Sequence, residues 1–284
     1  MPTLEELRRE IDDIDDNLHR LIMERSEVVR RIAEAKAAQG VAAPAIALRP
    51  GREAIVMRRL LQRHNGAFPA AALVRLWREL MGAFTQQQTP VRVAITRPAD
   101  QPGHWDLARD HFGSQIPFVA HDSAVQVLAQ VRADPHVIGV VPAPIETESQ
   151  PWWPLLASGE PATPNVIARL PFVPTVNARA RNLSALVLAR LDPEPSGDDV
   201  SLLLIESPGE ASRSRITAAL QKAGFPTLLS ALDHARGGEH FYLIEVPEIV
   251  TDNDPRLAAA AAALGVERAR VLTLGGYARP PVRT

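Results

Sequence analysis

TLEELRREIDDIDDNLHRLIMERSEVVRRIAEAKAA, residues 3–38, is the stretch whose pattern decides how the start of the chain folds. Leu4, Leu7, Ile11, Ile14, Leu18, Leu21, Val28 and Ile32 recur in steps of three and four, with one place skipped at Arg25. That spacing predicts a long helix with one continuous apolar seam. Thr3 followed by Glu6 gives it a capping box. Arg25 stands where the seam asks for an apolar residue, and Lys36 lies four after Ile32 on the same line. The two are about three turns apart, so both project the same way. A charge on a buried line costs free energy unless it snorkels to water, pairs with a carboxylate or meets an anionic ligand. The spacing alone leaves all three open. Asp12, Asp13, Asp15 and Asp16 read as a solvated face. At ~1.5 Å per residue the helix is on the order of 50 Å long. So long an apolar seam, with little chain nearby to pack on, predicts a partner helix from a second copy.

Outward from this helix the chain runs through an Ala/Gly/Pro loop at 39–48 into Arg49-Pro50-Gly51-Arg52-Glu53, which opens a second helix to about residue 64. Asn65-Gly66 and Pro69 mark a turn. A third helix, 70–87, has the seam Leu73, Leu76 or Trp77, Leu80, Phe84, and Gln88 falls on the same line.

Taken in order, Leu7-Arg8, Ile11, Ile14-Asp15, Leu18, Glu24-Arg25, Ala35-Lys36, Arg52-Glu53 and Gln88 resemble the all-helical chorismate mutases, over about the first 90 residues. The resemblance implies a three-helix unit intertwined with its partner in a homodimer, each site taking one arginine, here Arg8, from the other chain. Helix geometry agrees with sharing, since Arg8 lies some 25 Å along the axis from Arg25 and about 100° around it. The resemblance also implies a reaction, chorismate to prephenate, that needs no cofactor and no metal. The protein holds a dianion in a compact shape and stabilises charge developing on the breaking ether oxygen. By the same resemblance Arg8 and Arg25 grip carboxylates, Lys36 and Gln88 donate to the ether oxygen, Glu53 accepts from the substrate hydroxyl and Arg52 supports the site. Lys36, Gln88 and Arg25 are thus the catalytic set. Phe84, standing where the family commonly has a small residue, lines the substrate pocket and narrows it. Arg49 stands where the family often has Asp, and adds a cation or closes a lid.

The rest of the 284-residue chain brings the expected total to one to three domains. A net charge of −2 without a basic block points to neither nucleic acid nor a membrane surface. With no cysteine, disulfides, thiol catalysis and Cys-ligated metal are excluded. The N-terminus is charged rather than apolar, and the expected location is the cytoplasm. His104, His111, His121 and His136 show no regular ligand spacing.

After Pro90, strands at 91–95, 117–119 and 137–142 alternate with helices at 104–112 and 123–132, a small α/β unit. Phe112-Gly113, Asp122-Ser123 and Gly139-Val140-Val141-Pro142 resemble the first lobe of prephenate dehydratases. The continuation is too short for a second lobe, and Leu183-Ser184-Ala185 stands where the Thr-Arg-Phe catalytic motif belongs. The region 91–196 is therefore read as a shortened dehydratase-like domain without that activity. Trp152 and Trp153 are read as a plug at a domain junction. A Pro/Asp/Gly linker at 191–198 leads to the order βαββαβ over 197–284, a ferredoxin-like pattern. It resembles the ACT regulatory domains, with Ser207-Pro208-Gly209 as the first binding loop and no Glu-Ser-Arg-Pro motif near Leu229-Ser230-Ala231-Leu232. The resemblance allows an amino-acid effector; the alternative is a dimerisation and packing domain. For the whole chain the expectation is a homodimeric chorismate mutase of phenylalanine biosynthesis. A bifunctional mutase/dehydratase and a non-catalytic regulator that binds a small acid are the alternatives.

Overall fold

The computed structural model describes all residues except 41–44, 98–101, 149, 159, 161, 175–176, 227–229 and 282–284. Three helices come first: α1 (Leu4–Ala38), α2 (Pro50–Arg63) and α3 (Ala70–Gln88). The capping box forms in both directions. The Thr3 amide donates to Glu6 Oε2 at 2.7 Å and the Glu6 amide to Thr3 Oγ1 at 3.2 Å. The predicted seam of α1 is present but uncovered within the chain: from Leu4 to Ile32 its eight aliphatic residues are 42–65% exposed. Along this helix the chain supplies cover mainly near Arg25 and Ser26, where α3 passes.

α3 keeps part of its predicted seam and adds a second buried line. Phe84 of the seam is buried and Leu73, Trp77 and Leu80 are half-buried, while Leu76 and Gln88 are exposed; Val74, Arg78, Met81, Gly82 and Thr85 are buried besides. The Leu/Phe line was the more apolar, but α3 is pressed against a following helix along its other side. Gly82 makes this approach, since a Cβ there would collide with the Phe112 carbonyl oxygen. The loop before α2 also does more than connect. Ile46 and Leu48 are buried in the core of the next unit with Val93, Ile95 and Ile138.

Among the described residues nine strands follow: β1 (Arg92–Thr96), β2 (Phe118–His121), β3 (Val137–Pro142), β4 (Asn165–Leu170), β5 (Ala185–Ala189), β6 (Asp199–Ser207), β7 (Ser230–Arg236), β8 (Glu239–Val246) and β9 (Arg270–Ala278). Between them lie α4 (Gly103–Phe112), α5 (Ala124–Ala133), α6 (Arg213–Lys222) and α7 (Pro255–Leu264). Ser123, Ser212 and Asp254 cap the last three by accepting a backbone N–H of the first turn. All strands form one mixed sheet in the order β2-β1-β3-β5-β4-β9-β6-β8-β7. β1 is parallel to both β2 and β3, β5 is antiparallel to β3 and β4, and the set β9-β6-β8-β7 is antiparallel throughout.

The halves of the sheet meet where β4 runs parallel to β9 at Val166 and Gly275. Gly275 has φ +97° and backs onto the Val166 backbone, a place no side chain fits. β4 had no counterpart in the sequence reading. Trp152 and Trp153 do plug the junction, in a core that joins Val127 and Val141 to Leu202 and Leu274. The Trp152 indole donates to the Pro142 carbonyl at 3.0 Å. Arg58 of α2 ties the helices to the far end of the chain, donating to the carbonyls of Ser196 (3.0 Å), Asp198 (2.7 Å) and Arg279 (2.7 Å).

Candidate active site

The site residues singled out in the sequence fall on the three helices, and some of them enter two local clusters within one chain. In the first, the Arg25 guanidinium lies over the Phe84 ring, 4.2 Å from its centroid. α1 and α3 are held in this register by Ser26 Oγ donating to Gln87 Oε1 at 3.1 Å. Phe84 is buried, so its ring is a fixed shelf for a cation whose residue as a whole stays exposed. Partial desolvation lowers the Arg25 pKa from its ordinary value. Gln88, one turn after Phe84, donates its side-chain amide to the Phe84 carbonyl at 3.1 Å. Arg25 and Phe84 are thus brought together, with Phe84 a support under Arg25 besides occupying space, while Gln88 stands exposed at the end of α3 with its amide on the helix backbone.

The second group is on α2 and α3. Glu53 accepts from Arg78 Nη1 at 2.6 Å, and both side chains are withdrawn from solvent, to 13% and 5% exposure. Burial pulls the Arg78 guanidinium down from its ordinary value, and the Glu53 carboxylate acts the opposite way. A guanidinium held this deep requires a counter-charge, and Glu53 is it. Among the described residues, Glu53 Oε1 carries no hydrogen bond. Arg78 was not identified from sequence. Nothing in the spacing of Glu53 and Arg78 announces a pair, and the only local signal is the helical Gly82 one turn on, which marks close packing of that face.

Arg52 is exposed in the first turn of α2, and Arg8 is exposed on α1 far from Arg25. Lys36 belongs to α1, but its side chain lies outside the described residues. Arg49 is not a free cation. Its Nε donates to Glu194 Oε1 at 2.8 Å and fastens the start of α2 to the 191–198 linker.

Beside the Glu53–Arg78 pair a cavity of about 430 Å³ opens between α3, α4 and residues 171–174. Arg78, His111, Leu107 and Phe172 line it, and Arg75 pairs with Asp110 at its rim at 2.6 Å. Burial, with the Arg78 charge second, holds the His111 imidazole well below 6.5, so it is neutral near pH 7. Among the described residues no three His, Asp or Glu side chains gather as a metal site, and no helix is long and apolar enough to cross a membrane.

Comparison with known proteins places these helices. Residues 7–89 match the family model described as chorismate mutase type II. The bifunctional chorismate mutase/prephenate dehydratase of Aquifex aeolicus is 30% identical over 146 residues, covering 50% of this chain and 39% of that protein. The one from Stutzerimonas stutzeri is 32% identical over 149 residues, covering 51% of this chain and 40% of that protein. The chain thus matches about two fifths of the length of these relatives. Among solved structures, the prephenate dehydratase of Streptococcus mutans gives a TM-score of 0.47 at 14% identity, over 67% of this chain and 100% of that one. A prephenate dehydratase from Arthrobacter aurescens in complex with L-Phe gives 0.48 at 15% identity, over 68% and 93%.

Proposed function

From the type II chorismate mutase domain that residues 7–89 carry, we propose that this chain converts chorismate to prephenate as a homodimer whose sites are shared between copies. The observation that carries the reading is Arg25 laid on Phe84 beside an uncovered seam of α1, inside the matched region. Burying eight half-exposed aliphatic side chains per chain supplies on the order of 10 kcal/mol toward association, before the entropic cost of docking. A partner helix laid along the seam also brings a second Arg8, which one chain cannot deliver to its own Arg25 along a straight helix.

In the assembled site Arg25 and the partner copy's equivalent of Arg8 hold the two carboxylates of chorismate. The ring and its side chain are pressed into the compact shape in which the new carbon–carbon bond forms as the ether bond breaks. Lys36 and Gln88 donate to the ether oxygen, where negative charge develops, and this differential stabilisation lowers the barrier. Glu53, with Oε2 taken by Arg78, offers Oε1 to the substrate hydroxyl, and Arg52 adds positive potential at the mouth. Gln88 is a neutral donor at any ordinary pH, so the pH profile is broad.

We divide the chain as residues 1–90, 91–196 and 197–284. The middle unit is read as dehydratase-like without turnover, because Leu183-Ser184-Ala185 stands where a Thr-Arg-Phe motif belongs. The last unit is read as ferredoxin-like and ACT-like, supported by the order β9-β6-β8-β7 of an antiparallel βαββαβ set. Its Ser207 hydroxyl donates to the Gly209 carbonyl at 2.7 Å and fixes the shape of the loop that an amino-acid effector would meet. Leu229 of the second loop lies outside the described residues. A cytoplasmic location in phenylalanine biosynthesis goes with this reading. The second reading, a bifunctional mutase/dehydratase, is favoured by the relatives, which are bifunctional chorismate mutase/prephenate dehydratases.

The test is loss of chorismate ultraviolet absorbance with purified protein, the products being separated before and after acid. Prephenate that becomes phenylpyruvate only after acid is the expected result. Phenylpyruvate before acid selects the bifunctional reading. Unchanged chorismate removes the mutase and leaves a non-catalytic binder of small acids.

A further inference from the structure

The face of α3 that carries Arg78 is not the face that meets α1. It is covered from the other side, by chain that follows the helical domain. Phe172 sets its ring 5.6 Å from the Arg78 guanidinium carbon and packs in one core with Val74, Met81 and Ala54. Gly82 lets the C-terminal end of α4 reach the helix backbone, where the Phe112 carbonyl occupies the space of a Cβ. A cation enclosed this way cannot turn to water and has Glu53 as its ion-pair partner among the described residues. The carboxylate is fixed in turn, since a guanidinium is a planar, pre-organised donor and a free glutamate has three rotatable torsions to lose.

We propose that Arg78 is the positioning residue for Glu53, and that the dehydratase-like unit serves the mutase site by enclosing this pair through Phe172. The proposal rests on the mutase reading and on Glu53 as the acceptor of the substrate hydroxyl. Arg78 touches no substrate. It occupies one oxygen of Glu53 and aims the other, which is worth most where the substrate must be held in a near-attack shape. A 1–90 fragment would leave Arg78 on an uncovered face with its partner free to rotate. That gives the shortened unit a function independent of dehydratase chemistry.

The experiment uses the full-length homodimer and a double-mutant cycle. Arg78→Met, Arg78→Lys and Phe172→Ala are made alone and with Glu53→Gln, and kcat and KM for chorismate are measured beside thermal unfolding. Arg78→Met is expected to lower kcat by about tenfold or more with a smaller change in KM, and Arg78→Lys to recover part of the loss. In the Glu53→Gln background Arg78→Met is expected to cost less than about twofold, because the group it positions is already gone. Phe172→Ala is expected to follow the same pattern with a smaller loss, and it keeps the test open if Arg78→Met does not fold. Equal losses in both backgrounds would overturn the positioning role and leave Arg78 a structural ion pair. A wild-type protein that leaves chorismate unchanged would instead overturn the mutase reading beneath it, so the two failures are distinguishable.

Discussion

Arg25 and Arg78 are both helix-borne arginines, and their surroundings give them opposite tasks. Arg25 is backed by one aromatic face and otherwise open, so its donors are available to a ligand. Arg78 is enclosed and its charge is spent on Glu53. The first was legible in the sequence because it breaks an apolar seam; the second was not, because its partner lies on another helix. Arg25→Ala and Lys36→Ala are each expected to reduce mutase turnover to near background while the dimer stays folded, as read by steady-state assay and light scattering. Near wild-type rates in either would remove the assigned site. Phe84→Ala, which takes away the shelf under Arg25, should raise KM about two- to fivefold, the value of a partly exposed cation–π contact.

His111 gives a pH dependence at the same scale. Its folded-state pKa is depressed well below 6.5, first by burial and then by Arg78. As pH falls through about 6.5 the unfolded chain takes up a proton that the folded chain refuses. Stability is therefore full above that pH and declines below it. Urea unfolding at pH 7.5 and pH 5 should show a larger drop for the wild type than for His111→Gln. Equal drops would mean that His111 titrates as freely folded as unfolded.

Among the elements, α1 is the one whose sequence and single-chain environment disagree. Its period is that of a buried helix, yet its aliphatic residues stand about half exposed. The second copy proposed above would cover this seam. Leu18→Glu, placed mid-seam, should give a monomer by light scattering and lose mutase activity with it. A dimer that persists at unchanged activity would show that the seam is not the interface. Helices and most strands were legible because periodicity and capping residues are local. The second buried line of α3 was not, because the line 74, 78, 81, 85 contains an arginine, a glycine position beside it and a threonine. Only contact with α4 makes that line an inner one.

Over the whole molecule, the strands of residues 91–196 and 197–284 run on into one sheet. The parallel meeting of β4 and β9 joins residues more than a hundred positions apart, through a glycine whose need for space is set by the partner strand. No periodicity encodes such a pairing. Across this junction Arg169 of β4 donates to Glu245 and to the Tyr277 hydroxyl, both at 3.0 Å, and Tyr277 donates to Glu245 at 2.8 Å. Burial and the Glu245 charge push the Tyr277 phenol up to about 12, so it stays a donor throughout the working pH range. Arg58 completes the tie by joining α2 to the carbonyls beside β6 and β9. The helical domain is thereby anchored on one side to the sheet, while its α1 seam stays uncovered within the chain.

The most direct measurement of the central claim, a mutase site built by two chains, mixes two inactive variants. Arg8→Ala and Arg25→Ala homodimers are combined, allowed to exchange subunits, and assayed for chorismate consumption. Each mixed dimer then holds one site free of both substitutions, and activity should return to about a quarter of wild type for random pairing. No return of activity, with exchange verified by mass, would contradict a site shared between chains.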